Sequence, residues 1–170
     1  NKGQIASSEE NYKLIKDLEA EIEGEVDKVK LLGFPEEKIN ARGQITVWQR
    51  LRYLVDPGTW CPLHTLYNPE GNAEGHTNVF DGLARISGRW CVVIGFDNKY
   101  LAGAWVAGQP DNILRVTNLS KRLNVPLVWL VNCSGVKLPE QEKFYANRRG
   151  SGTAFFRHAE LNQMGIPILA

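Results

Sequence analysis

An α/β domain is predicted from three features of this 170-residue chain. Two strand-like apolar runs flank a tight Ser87-Gly88 turn, an unbroken apolar run follows at residues 125–131, and helical periodicity fills the segments around it. The buried runs begin about 35 to 40 residues apart, the spacing expected when helices connect parallel strands.

Taken in order, residues 7 to 32 read as a charged helical arm. Ser7 and Glu10 suit a capping box, and Leu14, Ile15, Leu18, Ile22, Val26 and Val29 recur at helical spacing. Such an arm either packs against a partner subunit or lies solvated on its own domain. A second helix is expected over about 46 to 55, opened by Thr46 and Gln49 and stopped by Asp56-Pro57-Gly58. The run Asn68-Pro69-Glu70-Gly71-Asn72 is too polar for core and reads as a loop. VFDGLARI (79–86) and WCVVIGF (90–96) form the predicted hairpin. A glycine-dotted loop through Gly103, Ala104 and Gly108 then leads to a helix whose first turn holds Pro110. VPLVWLV (125–131) is the next strand, and its continuous apolar character implies burial on both faces. A helix near 154 to 164 and a strand from 166 onward complete the chain. It stops at GIPILA, which reads as the opening of a buried strand with no turn after it, so a fragment of a longer polypeptide is expected.

Composition narrows the function classes. With 20 basic against 19 acidic residues the net charge is +1, which offers no electrostatic footprint for nucleic acid. No run reaches the ~18 apolar residues of a membrane span. Cys61, Cys91 and Cys133 are odd in number and widely spaced, which suits reduced thiols in a cytosolic protein. His64, His76 and His158 form no metal-binding spacing, so no metal is expected.

Ligands of such sheets bind at the carboxyl ends of strands, which directs attention to the loops after Phe96 and Val131. Asn132-Cys133-Ser134-Gly135-Val136 offers three kinds of chemistry. Cys133 needs a histidine or helix N-terminus to lower its pKa before it can attack. Ser134 lacks the flanking glycines of a hydrolase elbow. The backbone is the third possibility, because a strand ending in Ser-Gly can turn sharply and leave N–H groups facing a cleft, suited to an oxyanion. Arg148 and Arg149 sit in a Gly-punctuated loop before a helix, where they could clamp a carboxylate or phosphate or simply be solvated.

Three further sequences carry a resemblance. ARGQITVWQRL (41–51) through VDPGTW (55–60) resembles the RGKLT-R-R---LLD-GSF entry segment of the biotin-dependent carboxyltransferases. GLARISGR (82–89) is similar to their G-ARI-GR hairpin, and VPL (125–127) with NCSGV (132–136) to their PVI-L-DSGGAR strand and turn. Asn132-Cys133-Ser134-Gly135-Val136-Lys137, in place of DSGGAR, follows the decarboxylase branch of the family, as do AELNQ (159–163) and NRRG (147–150).

This resemblance implies a crotonase-like fold of repeated ββα units over residues 41–170, preceded by the arm at 1–40. It implies transfer of a carboxylate from glutaconyl-CoA to biotin carried by a partner subunit, leaving crotonyl-CoA. The thioester enolate would be held by two backbone N–H groups, one of them that of Val136 beside Gly135. The second would come from a glycine-rich segment after the final strand, and the biotin half from a second domain. Coenzyme A, as part of the substrate, would cross the loops holding Gly103, Ala104, Gly108 and Ser134, with Arg148 and Arg149 orienting its anionic parts. The implied partners are a biotin carrier, a membrane decarboxylase subunit of a sodium-pump complex and a second copy of the chain, at the inner face of the membrane. Three rivals stay open: a carboxyltransferase for another acyl-CoA, a non-catalytic CoA-binding or assembly module, and a hydrolase using Cys133 or Ser134 with a nearby histidine.

Overall fold

The computed structural model describes residues 7–71 and 76–170; Asn72, the end of the predicted polar loop, lies outside them. Helix α1 (Ser8–Leu31) opens with the expected capping box, Ser7 Oγ accepting from Glu10 N–H and the Glu10 carboxylate accepting from Ser7 N–H. None of its residues is buried. The helix is largely solvated, and its root rests on its own domain, where Lys99 Nζ donates to the Lys30 carbonyl. A short helix α2 (Glu36–Asn40) follows, and then α3 (Val47–Leu54), capped reciprocally by Thr46 and Gln49 as the sequence indicates.

The sheet has five strands in sequential order: β1 (Cys61–Leu63), β2 (Val79–Ile86), β3 (Arg89–Phe96), β4 (Leu127–Leu130) and β5 (Ile168–Leu169). The first three pair antiparallel, whereas β3, β4 and β5 run parallel. Helix α4 (Gln109–Leu123) crosses from β3 to β4. Helices α5 (Gln141–Tyr145) and α6 (Thr153–Gln163) cross from β4 to β5. The predicted order of strand, strand, helix, strand, helix, strand is the observed one. Residues α2, β1 and α5 occupy were not predicted as elements; each is three to five residues long, too short for periodicity to register.

The alternation of side chains along β3 divides the core in two. Val92, Ile94 and Phe96 join Ile113 and Val116 of α4 and Leu161 of α6 on one face. Val93 points the other way and packs with Phe80, Val47 and Leu51 under α3. The two layers differ in coverage, and this corrects the expectation for β4. Leu127 and Trp129 are buried on the α4/α6 face, but Val128 and Leu130 are only partly covered. The α3 layer is covered by one eight-residue helix with Val55 and Trp60 beside it, which leaves the β4 edge of that face partly open. The strand is also shorter than the predicted 125–131. Pro126 has no N–H for the ladder, although its carbonyl still accepts from Val92 N–H at 2.9 Å.

The loop after β3 fastens the α3 layer to the sheet. Asn98 Oδ1 accepts from Val47 N–H at 2.9 Å, Asn98 Nδ2 donates to Ile45 O at 3.1 Å, and Trp48 Nε1 donates to Asp97 Oδ2 at 3.1 Å. Burial raises the Asp97 carboxyl above its ordinary pKa despite the N–H donors and the nearby Lys99.

Candidate functional site

Because β3 and β4 are parallel neighbours, their carboxyl ends lie side by side, and the loops that leave them meet. The first loop turns through Leu101 and Ala102, both left-handed at φ 45° and 51°, a conformation that costs of order 1–3 kcal/mol in non-glycine residues. It then passes Gly103, φ 74°, which is pressed so closely on the Asn132 carbonyl that a Cβ there would overlap it. The second loop leaves β4 through Val131 and turns at Gly135, φ 111°, whose surroundings are open.

An isolated parallel bridge joins the loops at Trp105 and Val136. Trp105 N–H donates to Gly135 O at 2.8 Å, and Lys137 N–H donates to Trp105 O at 2.9 Å. The pleat sends the intervening N–H, that of Val136, to the opposite side. It meets no acceptor among the described residues. The neighbouring side chains are engaged in shaping the turn. Gly135 N–H lies 3.2 Å from Cys133 Sγ, and Ser134 Oγ donates to Leu101 O at 3.1 Å.

Among the described residues, the hydrogen bonds of the Cys133 and Ser134 side chains run to the main chain of Gly135 and Leu101, not to a histidine. His64 Nδ1 contacts the buried Asp81 carboxylate at 2.8 Å, and His158 Nδ1 lies against Ala154 O. Beside the turn is a mixed polar cleft of about 260 Å³, walled by Arg42, Gln44, Asn98, Ala102, Asn132 and Ser134. A separate apolar cavity of about 440 Å³, with Trp105, Trp129, Val131 and Phe155 in its walls, opens at the carboxyl ends of the parallel strands.

The predicted site residues thus fall into two groups. Gly103, Ala104, Ser134, Gly135 and Val136 converge at the paired loops. Gly108 and Arg149 come together elsewhere, in a polar pocket of about 320 Å³ at the start of α4 that Tyr67, Asp111 and Lys143 also line. Arg148 is exposed and does not line that pocket.

Arg149 is already held within the chain. Its Nε donates to Asp111 Oδ1 at 2.6 Å, its terminal nitrogen contacts the same oxygen, and Tyr67 Oη and Arg115 Nε engage Asp111 Oδ2. Burial raises the Asp111 carboxyl, but the hydrogen bonds from Tyr67, Arg115 and Arg149 and the charge of Arg149 outweigh it. The net effect holds the group below the ordinary carboxylate range.

Two residues here escaped the sequence reading. Asp111 was legible only as an acid in the first turn of a helix. Glu140 joins the two loops: its carboxylate accepts from Ala107 N–H at 2.8 Å and pairs with Lys137 Nζ at 2.5 Å. Burial pushes Glu140 up, and the bonds from Lys137 and Ala107 with the charges of Lys137 and Lys143 bring it below its ordinary value. Its position three residues after Lys137 is a weak signal that spacing alone does not separate from a surface pair.

The ββα order of the sheet and its crossovers is that of the crotonase-like carboxyltransferase fold. Residues 38–170 match the carboxyl transferase domain, and the chain belongs to that family. It is 51% identical over 159 residues to glutaconyl-CoA decarboxylase subunit alpha of Acidaminococcus fermentans, covering 94% of this chain and 27% of that protein. It is 28% identical over 136 residues to the biotin-dependent 3-methylcrotonyl-coenzyme A carboxylase beta1 subunit of Mycobacterium tuberculosis, covering 76% of this chain and 25% of the other. The chain therefore spans about a quarter of the length of these relatives. Among solved structures it superposes on the beta subunit of the P. aeruginosa geranyl-CoA carboxylase with a TM-score of 0.69 at 21% identity, over 91% of this chain and 28% of that one. The transcarboxylase 12S core gives 0.62 at 17% identity, over 98% and 33%.

Proposed function

We propose that this chain forms the acyl-CoA half of a carboxyltransferase site in a biotin-dependent decarboxylase, and that its substrate is glutaconyl-CoA. The observation that carries this reading is the Val136 N–H, fixed by the bridge to Trp105 and left without an acceptor. The identity to a glutaconyl-CoA decarboxylase subunit supports the choice of substrate.

In this mechanism the thioester oxygen of the acyl-CoA sits against Val136 N–H. The bond from the γ-carbon to the departing carboxylate breaks, and its electron pair moves through the conjugated double bond to that oxygen. Negative charge then grows where the N–H already points, so the donor stabilises the transition state without rearranging. A proton delivered to the γ-carbon, matching the one displaced when the acceptor nitrogen is carboxylated, gives crotonyl-CoA. A second N–H donor is needed opposite the first, and no residue of this chain is assigned to it. When bound, biotin on a carrier subunit would supply the nitrogen that accepts the carboxylate; none of these residues is assigned to hold it.

Coenzyme A crosses the Gly103–Ala104 loop and Ser134. The pocket shared by Gly108 and Arg149 receives an anionic part of the substrate; Arg148 has a weaker claim, being exposed and outside that pocket. Residues 41–170 act as the catalytic part and residues 1–40 as the arm, a division consistent with a family match that begins at residue 38. No helix among the described residues is long and apolar enough to cross a membrane. The proposed partners are a membrane decarboxylase subunit coupled to sodium transport, met at the cytoplasmic face, and a second copy of the chain in a homodimer.

The test is carboxyl transfer from glutaconyl-CoA to free biotin by the full polypeptide that contains this chain, with 3-methylglutaconyl-CoA as the competing carboxyl donor. Transfer from glutaconyl-CoA at more than tenfold higher kcat/KM supports the assignment. A preference for the branched acyl group would replace the substrate, and no transfer from either would overturn the reaction.

A further inference from the structure

The arm presents a face that its own domain leaves bare. Leu14, Ile15, Leu18 and Ile22 lie along α1 with exposures between 45% and 63%. An amphipathic helix of this kind gains most of its stability by burying its apolar stripe on something else. At the root of the same helix is a groove of about 580 Å³, walled by Leu31, Phe34, Trp48 and Trp60 and rimmed by Lys30 and Arg52.

The stripe cannot reach the groove of its own copy. Helix α1 is continuous from Ser8 to Leu31, and at 1.5 Å per residue Leu18 stands roughly 20 Å from the end that lines the groove. The occupant is therefore something other than the stripe of the same copy. Charge favours a second copy of this chain. Residues 8–31 carry eight acidic and four basic residues, while the rest of the chain carries 16 basic and 11 acidic. Each copy also holds both halves of the contact, so one two-fold exchange buries two stripes in two grooves.

We infer that the arm of one copy docks by its Leu14–Ile22 stripe into the Phe34–Trp48–Trp60 groove of a second copy, and the reverse. The contact is apolar at its centre. Acidic side chains of the arm face Arg52 and, at the root of the partner's own arm, Lys30; Arg52 keeps its pair with Glu36 at 3.0 Å and Lys30 its pair with Asp27 at 3.5 Å. This inference is independent of the reaction proposed above.

The experiment uses the full polypeptide with benzoylphenylalanine in place of Leu18. Heavy-isotope-labelled and unlabelled copies are mixed, irradiated and mapped by mass spectrometry. The expected result is a heavy arm peptide joined to a light peptide containing residues 30–36, 48–52 or 60. Crosslinks confined to one copy, to peptides outside the groove, or formed only after a carrier or membrane subunit is added would overturn the second-copy assignment, as would no crosslink at all. The double variant Leu18→Lys, Ile22→Lys gives an independent readout. The dimer dissociation constant should rise at least tenfold in sedimentation velocity while near-ultraviolet ellipticity of the tryptophan-rich body is unchanged. An unchanged constant counts against the inference.

Discussion

Two loops of this domain looked chemically promising and are used in opposite ways. The turn at 132–137 places the Cys133 and Ser134 side chains on the main chain and leaves the Val136 N–H without an acceptor among the described residues. The loop at 147–150 exposes Arg148 and ties Arg149 to Asp111. The arginines are conspicuous in the sequence, yet the one that reaches a pocket arrives already paired with a carboxylate. The N–H of Val136 has no signature in its residue type at all. A main-chain site is defined by where the strand ends, whereas a side-chain site is defined by what else its charge can find.

The sharpest way to break this contrast is Val136→Pro, which removes the N–H and fixes φ at that position, with the fold checked by near-ultraviolet ellipticity. Carboxyl-transfer kcat should fall ~10²–10³-fold, the cost of one lost oxyanion donor, about 2.7–4 kcal/mol. Val136→Ala keeps the N–H and should stay within a few-fold of wild type. Gly103→Ala acts on the packing that aligns the loops. A Cβ at φ 74° against the Asn132 carbonyl should lower the unfolding free energy in urea by about 1–3 kcal/mol, with transfer activity falling in parallel.

On the other loop, Asp111→Asn should destabilise the fold by about 1–2 kcal/mol, since its partners Arg115 and Arg149 are partly solvated and screened. The sign with pH is fixed by the direction of the shift. Asp111 and Glu140 both lie below their ordinary values. Their contribution is therefore complete above the unfolded pKa and is lost as pH falls through the folded one. Thermal denaturation between pH 7 and pH 3 should show a shallower acid limb in Asp111→Asn than in wild type. The smallest effects belong to Cys133→Ala and Ser134→Ala, each costing less than about 1 kcal/mol and leaving kcat within a few-fold. A large loss in either would return the chemistry to the side chains.

Much of the fold was legible because it rests on local signals. The two capping boxes, the Ser87-Gly88 hairpin and the strand-helix alternation are written in neighbouring residues. The thin cover over Val128 and Leu130 was not, since it depends on how wide a sheet an eight-residue helix can shelter. The site divided in the same manner. Gly135 and the strand end directed attention to the turn. The Trp105–Val136 bridge, the Glu140 link and the Asp111–Arg149 pair join residues about 30 to 40 positions apart. No spacing rule brings such residues together, and only the parallel pairing of β3 with β4 does so.

The most direct test of the central claim is the thioester carbonyl stretch of bound crotonyl-CoA, isotopically labelled at that carbon and followed by difference infrared spectroscopy. In the full polypeptide the band should move to lower wavenumber on binding, equally in wild type and Val136→Ala, and lose much of that shift in Val136→Pro. The same shift in all three proteins would mean that the Val136 N–H does not touch the oxygen.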